Sequence, residues 1–292
     1  MNISGFTFLK NGVRLGYPFL ESIRSTLPLV DEFVVALGEC DDDTPQKLRE
    51  LGEGEAKGKL RVIDMTWNTK APSGYVYAAQ SVAAHTNCRG DWAFYMQGDE
   101  VIHEDDHAAI RESLAKAHAD PRVEGLYFDY LHFFGSGRTL ACSPAWYRRE
   151  VRIVRNTNLK IVMPSDAQYF TTIEGRKKLR YLRCIPANAR MFHYGWARST
   201  GANEAKQKAA SAYYHKEEEV KPYSAIDPAI VRTFTGTHPA VVQAWVDQNA
   251  PASFTPDPRY RLTRRDKRQR MKMTLERLFG IDTSKDHFTR VR

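Results

Sequence analysis

The stretch Trp92-Ala93-Phe94-Tyr95-Met96-Gln97-Gly98-Asp99-Glu100 decides the fold, because an apolar run of strand length ends in carboxylates with only Gly98 as a turn residue. A short apolar run rich in aromatic residues reads as a buried strand. A buried strand that delivers acids at its C-terminal end puts them in the crevice where open α/β sheets bind ligands. Hard divalent cations take carboxylate oxygens and share their coordination with phosphates, so metal-assisted handling of a phosphorylated substrate is the first expectation. A solvated strand end is the plainer reading of the same residues, and the flanking sequence has to separate the two.

Working outward, Ile3–Leu9 is apolar with Phe6 and Phe8 in alternation, and Asn11-Gly12 supplies a turn. Leu20, Ile23 and Leu27 then fall at helical spacing until Pro28 stops the helix. Residues 33–37 form a second strand, which Gly38 and the acidic turn Asp41-Asp42-Asp43 close, and Thr44-Pro45 opens a short helix. Leu60–Met65 is a third strand, 75–85 a helix, 92–96 the fourth strand, and Asp105 caps a helix whose Ile110, Leu114 and Ala117 share one face. Strand and helix alternate throughout, the pattern of an α/β fold in which a mostly parallel, Rossmann-like sheet is flanked by helices.

The pattern loosens beyond residue 120. Strands are expected at 125–134 and 151–154, and a helix at 204–219 with Ala205, Ala209, Ala212 and Tyr213 on one stripe. A further helix is expected at 239–248, and Pro251, Pro256 and Pro258 mark a linker. The expected division is a nucleotide-binding and catalytic unit at 1–200, a helical part packed on it at 201–258, and a basic amphipathic tail at 259–292.

Charge supports that division. The 292 residues carry a formal net charge of +8, and residues 259–292 alone hold twelve Lys/Arg against four Asp/Glu, so the rest of the chain is balanced. A neutral body argues against nucleic acid as partner, since a phosphodiester-binding face needs basic residues spread along it. The four cysteines, Cys40, Cys88, Cys142 and Cys184, form no C-x-x-C pair and read as free thiols. No stretch approaches the roughly 18 apolar residues of a membrane span, so the expectation is a cytoplasmic protein that meets a membrane only at its surface. The tail offers a means: Met271, Leu275, Leu278 and Phe279 follow one helical stripe while Arg264, Arg268 and Lys272 form a basic ridge. Such a helix lies either on an anionic bilayer or with its apolar stripe against the protein body.

Two acidic turns, Asp41 to Asp43 and Gln97-Gly98-Asp99-Glu100, are expected at one edge of the sheet, where a carboxylate can accept hydrogen bonds from a base or ribose. His193-Tyr194-Gly195-Trp196 follows apolar Met191-Phe192 and reads as a ligand-lining turn, with an imidazole able to ligate a metal and aromatic faces able to stack on a sugar or base. Taken in order, Phe6-Thr7-Phe8-Leu9-Lys10-Asn11, Asp41-Asp42-Asp43-Thr44, Gln97-Gly98-Asp99-Glu100 and His193-Tyr194-Gly195-Trp196 resemble a bacterial family-two-like glycosyltransferase of the GT-A fold, in the branch where Q-x-D-E replaces D-x-D. The resemblance covers about residues 3–200. It implies a transferase that moves a sugar from a nucleotide-sugar donor to a glycan or lipid-linked acceptor, with inversion and with a divalent cation, manganese or magnesium, bridging the diphosphate. Asp99 would hold that cation with His193 as a further ligand, while Phe8, Asn11, Asp41, Asp43, Gln97, Asp99 and Trp196 would line the donor site. Gln97 is neutral where the common motif has a carboxylate, so it would ligate a cation poorly.

An inverting transferase needs a general base for the acceptor hydroxyl. Asp166 is the candidate, with a helix N-cap as its plainer role and Glu174 and Asp129 as rivals. Arg148, Arg149, Arg152 and Arg155 would either meet phosphates or form the wet face of a strand. A sugar nucleotidyltransferase on a related fold, and a degenerate nucleotide-binding or scaffold module, are the alternatives to the transferase. His103-Glu104-Asp105-Asp106-His107 matches the zinc-peptidase pattern H-E-x-x-H, but that chemistry needs all five residues inside a helix, and Asp105 and Asp106 favour a helix start. The Gly-rich run 52–58 carries acids and follows a helix, so it is a surface loop, and Ser136 lacks the flanking pattern of a nucleophile elbow.

Overall fold

A computed structural model describes residues 1–72, 74–156, 160–164, 166–175, 178–216 and 220–291. The end of the helix expected at 204–219, Ser165 beside Asp166, and Arg292 lie outside the described residues.

Four parallel strands form the half of the sheet that the alternation predicts. Strand β1 (Ile3–Leu9) lies between β2 (Glu32–Gly38) and β4 (Trp92–Tyr95), with β3 (Leu60–Met65) outside β2. Parallel neighbours need crossovers, and helices α1 (Phe19–Thr26), α2 (Thr44–Glu53) and α3 (Tyr75–Thr86) supply them. β1, β2 and β4 are buried on both faces: Phe33, Val35 and Phe94 enter one apolar layer, and Phe6, Val34 and Tyr95 the other. β3 instead exposes Val62 and Asp64, as befits an edge strand. Helix α4 (His107–Ala119) buries Ile110, Leu114 and Ala117 as its spacing requires.

Beyond β4 the sheet turns mixed. β8 (Arg149–Arg155) runs antiparallel to β4, β6 (Gly125–Phe134) antiparallel to β8, and β11 (Lys178–Trp196) parallel to β6. The 19-residue β11 was not predicted. Its Lys178, Arg180, Arg183 and Arg190 resemble a polar connection, and Pro186 and the left-handed Asn188 (φ 52°) interrupt its register with β6. It also pairs with β5 (Glu100–Ile102), with β10 (Thr171–Glu174), which in turn pairs with β9 (Ile161–Val162), and with β13 (Phe288–Arg290). β7 (Thr139–Ala141) joins β6 to β12 (Val231–Thr233). The α/β class, with a large sheet flanked by helices, is therefore what the chain adopts.

Three further α-helices follow among the described residues: α5 (Thr200–Tyr213), α6 (Ala240–Asn249) and α7 (Arg264–Phe279). α6 buries Val242, Trp245 and Val246 against Phe133, Phe192 and Tyr194 of β6 and β11. Among the described residues no helix is long and apolar enough to cross a membrane.

The H-E-x-x-H run is not a metal site. His103 precedes the helix, its Nδ1 accepting from the Asp105 amide and its Nε2 lying 3.2 Å from the Thr237 hydroxyl, whereas His107 begins α4 with Nε2 3.1 Å from the Ser25 carbonyl. Glu104 accepts from the Ala240 amide at the start of α6. The acids at 105 and 106 start the helix too late to place both histidines on one face.

Candidate functional site

The C-terminal ends of β1 and β4 and the last residues of β11 open into a cavity of about 380 Å³. It gathers Phe8, Asn11, Gln97, Asp99, Asp166, His193 and Trp196 from distant parts of the chain. Asp41 and Asp43 are not among its lining residues: both are exposed, and Asp41 pairs with Arg14 at 2.5 Å. The turn bends away because Asn11 Oδ1 takes the Asp41 amide and the Asp42 carboxylate takes the Arg14 and Thr44 amides. Asp42 thus holds the loop after β1 rather than a ligand.

Asp99 and Glu100 are sequence neighbours with opposite surroundings. β4 ends at Tyr95, the chain turns at Gly98, and Glu100 starts β5. A Cβ at position 98 would sit 2.9 Å from Leu9 Cδ2, so glycine lets this turn press against β1 without displacing that side chain. Glu100 points inward, fully buried, onto the equally buried Arg152 with contacts of 2.8 and 2.9 Å, and also accepts from Tyr130 Oη at 2.7 Å and the Gln97 amide at 3.0 Å. Arg152 is therefore neither a phosphate ligand nor a wet-face residue. Arg148 and Arg149 pair with Glu276, Asp282 and Asp286, and Arg155 stacks on Trp92 while donating to the Val123, Ala117 and Asp120 carbonyls.

Asp99 faces the cavity side. Its Oδ2 lies 3.3 Å from Arg198 Nη2 and 3.4 Å from Lys206 Nζ, and its Oδ1 lies 3.8 Å from His193 Nε2. Burial alone would raise this carboxyl, but the ammonium and guanidinium outweigh it and hold it well below the usual carboxylate range. Burial together with Arg198 lowers Lys206 to about 8, against the opposing pull of Asp99. Lys206 also donates to the Gly195 carbonyl at 2.7 Å and sits over the Trp196 ring.

The histidine tautomers follow from a chain of contacts. His132 Nε2 is 2.6 Å from the Tyr147 carbonyl, which only accepts, so that nitrogen carries the proton. His132 Nδ1 is then bare and accepts from His193 Nδ1 at 2.9 Å. The Nε2 of His193 is left with a free lone pair on the side of Asp99. Burial keeps both rings neutral, lowering His132 to about 4 and His193 well below the ordinary value. A fixed tautomer with its other N–H engaged is how metal-ligating histidines are oriented. Gly195 makes the room: a Cβ there would stand 2.6 Å from the His193 ring and 3.0 Å from Asp99. His193 and Trp196 lie on the last residues of a strand, not on the turn the sequence suggested.

Asp166 reaches the cavity from the loop before β10, where Tyr214 donates to its Oδ2 at 3.1 Å and no helix follows for it to cap. Gln97 Nε2 donates to the Ala167 carbonyl at 3.3 Å, so this side chain ties the end of β4 to the Asp166 loop. Ala167 holds a left-handed φ of 61° at that point. The rivals Glu174 and Asp129 do not line the cavity.

Helix α5 roofs the cavity with Lys206, Ala209, Ala210, Tyr213 and Tyr214. This is the i, i+3, i+4, i+7, i+8 stripe one residue round from the one predicted, and Ala212 of the predicted stripe is exposed. Tyr213 packs on Trp67 and Tyr77, which with Phe8 make an aromatic wall with ring centroids 5.3–6.0 Å apart. Lys206 and the Tyr213-Tyr214 pair were legible as a polar and aromatic stripe inside an otherwise alanine-rich helix. Arg198, fully buried and donating to the Leu15 carbonyl at 2.5 Å, gave no such signal.

No protein-family model matches the chain, and no curated protein matches it by sequence. Solved structures resemble it loosely. The 1–349 piece of TarS from S. aureus matches with 11% identity and a TM-score of 0.40 over 77% of this chain and 69% of that one. A longer TarS chain from S. aureus matches with 13% identity and a TM-score of 0.35, covering 53% of this chain, which spans only 28% of its length. Glucosyl-3-phosphoglycerate synthase from Mycobacterium tuberculosis, crystallised with manganese, uridine diphosphate and glucosyl-3-phosphoglycerate, matches with 18% identity and a TM-score of 0.31 over 46% of this chain and 45% of that one.

Proposed function

We propose that the chain is a glycosyltransferase that moves a sugar from a nucleotide-sugar donor to a glycan or lipid-linked acceptor, with inversion. The observation that carries this reading is the single cavity in which a buried carboxylate, Asp99, a lone-pair imidazole, His193, and a second carboxylate, Asp166, stand with an aromatic wall and a lysine. The aromatic wall of Phe8, Trp67, Tyr77 and Tyr213 suits the flat face of a base, and Asn11 lines the same pocket. Lys206 lines the cavity beside Asp99 and would stabilise a departing nucleoside diphosphate, while the buried Arg198 braces Asp99 from behind.

A divalent cation fits the residues present. Asp99 Oδ1 and His193 Nε2 would hold it, and among the described residues no cluster of three metal-ligating side chains exists to complete a cage. The remaining positions would come from water and substrate phosphates, as in other phosphate-handling sites. One imidazole in the set favours a transition-row cation such as manganese over magnesium. When bound, the cation would neutralise diphosphate charge. Gln97 contributes by fixing the Asp166 loop rather than by ligation.

Asp166 is the general base of this reading. Its carboxylate lines the cavity and is oriented by Tyr214, so it can accept the acceptor hydroxyl proton as that oxygen attacks the sugar carbon. A sugar nucleotidyltransferase would release pyrophosphate from a nucleoside triphosphate, and a scaffold module would bind nucleotide with no turnover.

The test has two parts. Thermal unfolding with a panel of nucleoside diphosphates and manganese should show a shift of about 4 °C at a hundred times the dissociation constant, and Asp99→Asn should abolish it. Asp166→Asn should keep the shift and lower kcat by roughly 10²–10⁴-fold. A shift that survives Asp99→Asn unchanged would remove the donor-site reading, and activity within tenfold of the parent in Asp166→Asn would remove the base.

A further inference from the structure

Helix α7 is attached to the body by its polar side. Arg270 donates to the buried Asp227 at 2.6 and 2.8 Å, Glu276 accepts from Arg148 at 2.7 Å, and Met273 packs on the cluster of Phe134, Ile226 and Ile230. Asp266 closes a capping box with Thr263 and takes the Tyr260 hydroxyl, while Gly280 ends the helix in the left-handed region. Strand β13 then returns the chain to β11. These fixings settle which way α7 faces.

The side turned away carries the bulky apolar residues. Met271 is 58% exposed, Leu275 36%, Leu278 66%, Phe279 68% and Ile281 50%. Arg264, Arg265, Lys267 and Arg268 are exposed on the first turns of the same helix. On a helical wheel Arg264 and Arg268 fall within the arc spanned by Met271, Leu275, Leu278 and Phe279, so one outward face is cationic at its start and apolar at its end. Met273 of α7 packs on the Phe134, Ile226 and Ile230 cluster, and none of the five exposed apolar residues belongs to it. The alternative in the sequence turns the apolar stripe inward; the structure turns it outward, with the basic residues exposed beside it.

We infer that the outward face of α7 docks on an anionic lipid bilayer, with Leu278, Phe279 and Ile281 entering the headgroup boundary and the first-turn arginines and Lys267 meeting lipid phosphates. The charge chooses the occupant. The excess of +8 resides in residues 259–292, so a second copy would bring like charges together around the apolar patch, whereas an anionic surface complements it. The inference does not depend on the transferase reading, because it rests on a different face of the molecule.

Co-sedimentation of the whole chain with vesicles tests it. The protein should pellet with mixed phosphatidylcholine and phosphatidylglycerol, stay in solution with phosphatidylcholine alone, and release as salt rises. Leu278→Glu with Phe279→Glu should abolish pelleting. Arg264→Gln with Arg268→Gln should weaken it about 25-fold, at about fivefold per cation. Both variants should keep the thermal midpoint of the parent, as exposed positions would. Equal pelleting with neutral vesicles, no pelleting with either, or pelleting that either folded variant retains in full would overturn the proposal. So would a dimer in sedimentation equilibrium that Leu278→Glu with Phe279→Glu converts to monomer.

Discussion

Glu100→Gln removes one charge from a pair that water cannot reach, and the structure sets the size of the loss. Both Glu100 and Arg152 have no exposed side-chain surface. All the contacts of Glu100 come from donors: Arg152 at both oxygens, Tyr130 at one and the Gln97 amide at the other. A glutamine offers one acceptor oxygen and one NH2, so whichever way it turns, an amide nitrogen confronts a guanidinium N–H, and the arginine charge is left unbalanced. Breaking a buried pair from one side costs about 3–5 kcal/mol, a large part of the about 5–15 kcal/mol that folded domains hold in reserve. Urea unfolding followed by tryptophan fluorescence reads it: the midpoint should fall with the slope unchanged. Adding Arg152→Met removes the orphaned charge, so the double variant should recover about 2 kcal/mol or more of the single variant's loss. A single variant within about 1 kcal/mol of the parent, or two substitutions whose costs simply add, would refute the account of Glu100 as a strut rather than a ligand.

Two further outcomes follow from the site and its surroundings. Glu104→Gln should leave turnover intact and cost about 1 kcal/mol through its weakened contact with the Ala240 amide; a tenfold loss of activity together with bound zinc on elemental analysis would restore the peptidase reading. Glu124, which burial would push up, is instead lowered to about 2 by hydrogen bonds from Arg180 and Arg183. Its folded value lies below the unfolded one, so its contribution is present above about pH 4.5 and is lost as pH falls toward 2. Glu124→Gln should therefore lose on the order of 2 kcal/mol at neutral pH after allowance for the part-exposed arginines, and show a flatter stability profile between those limits. An unchanged acid limb in urea titrations at stepped pH would count against it.

Sequence alone determined the local and repetitive features. The alternation of buried strands and amphipathic helices through the first 120 residues is set by side-chain periodicity, and the observed β1 to β4 follow it closely. The same reading picked Phe8, Asn11, Gln97, Asp99, Asp166, His193 and Trp196, all of which line one cavity, because chemistry-bearing residues at strand ends and in loops stand out against apolar runs. Tertiary structure decided what depends on distant partners. Adjacent acids at 99 and 100 are alike in sequence, yet a bend at Gly98 sends one to a buried arginine on β8 and the other to Lys206 and Arg198. The acids at 41 and 43 look equally placed, but the turn is held away from the cavity where the Asn11 side chain takes the Asp41 amide and Asp42 takes the Arg14 amide. The long β11 escapes notice because charged residues, Pro186 and Asn188 break its apolar pattern and its pairing spans residues far apart in the chain. The facing of α7 is invisible to periodicity, since a stripe shows that a helix is two-sided and only the ion pairs to Asp227 and Arg148 show which side the body takes.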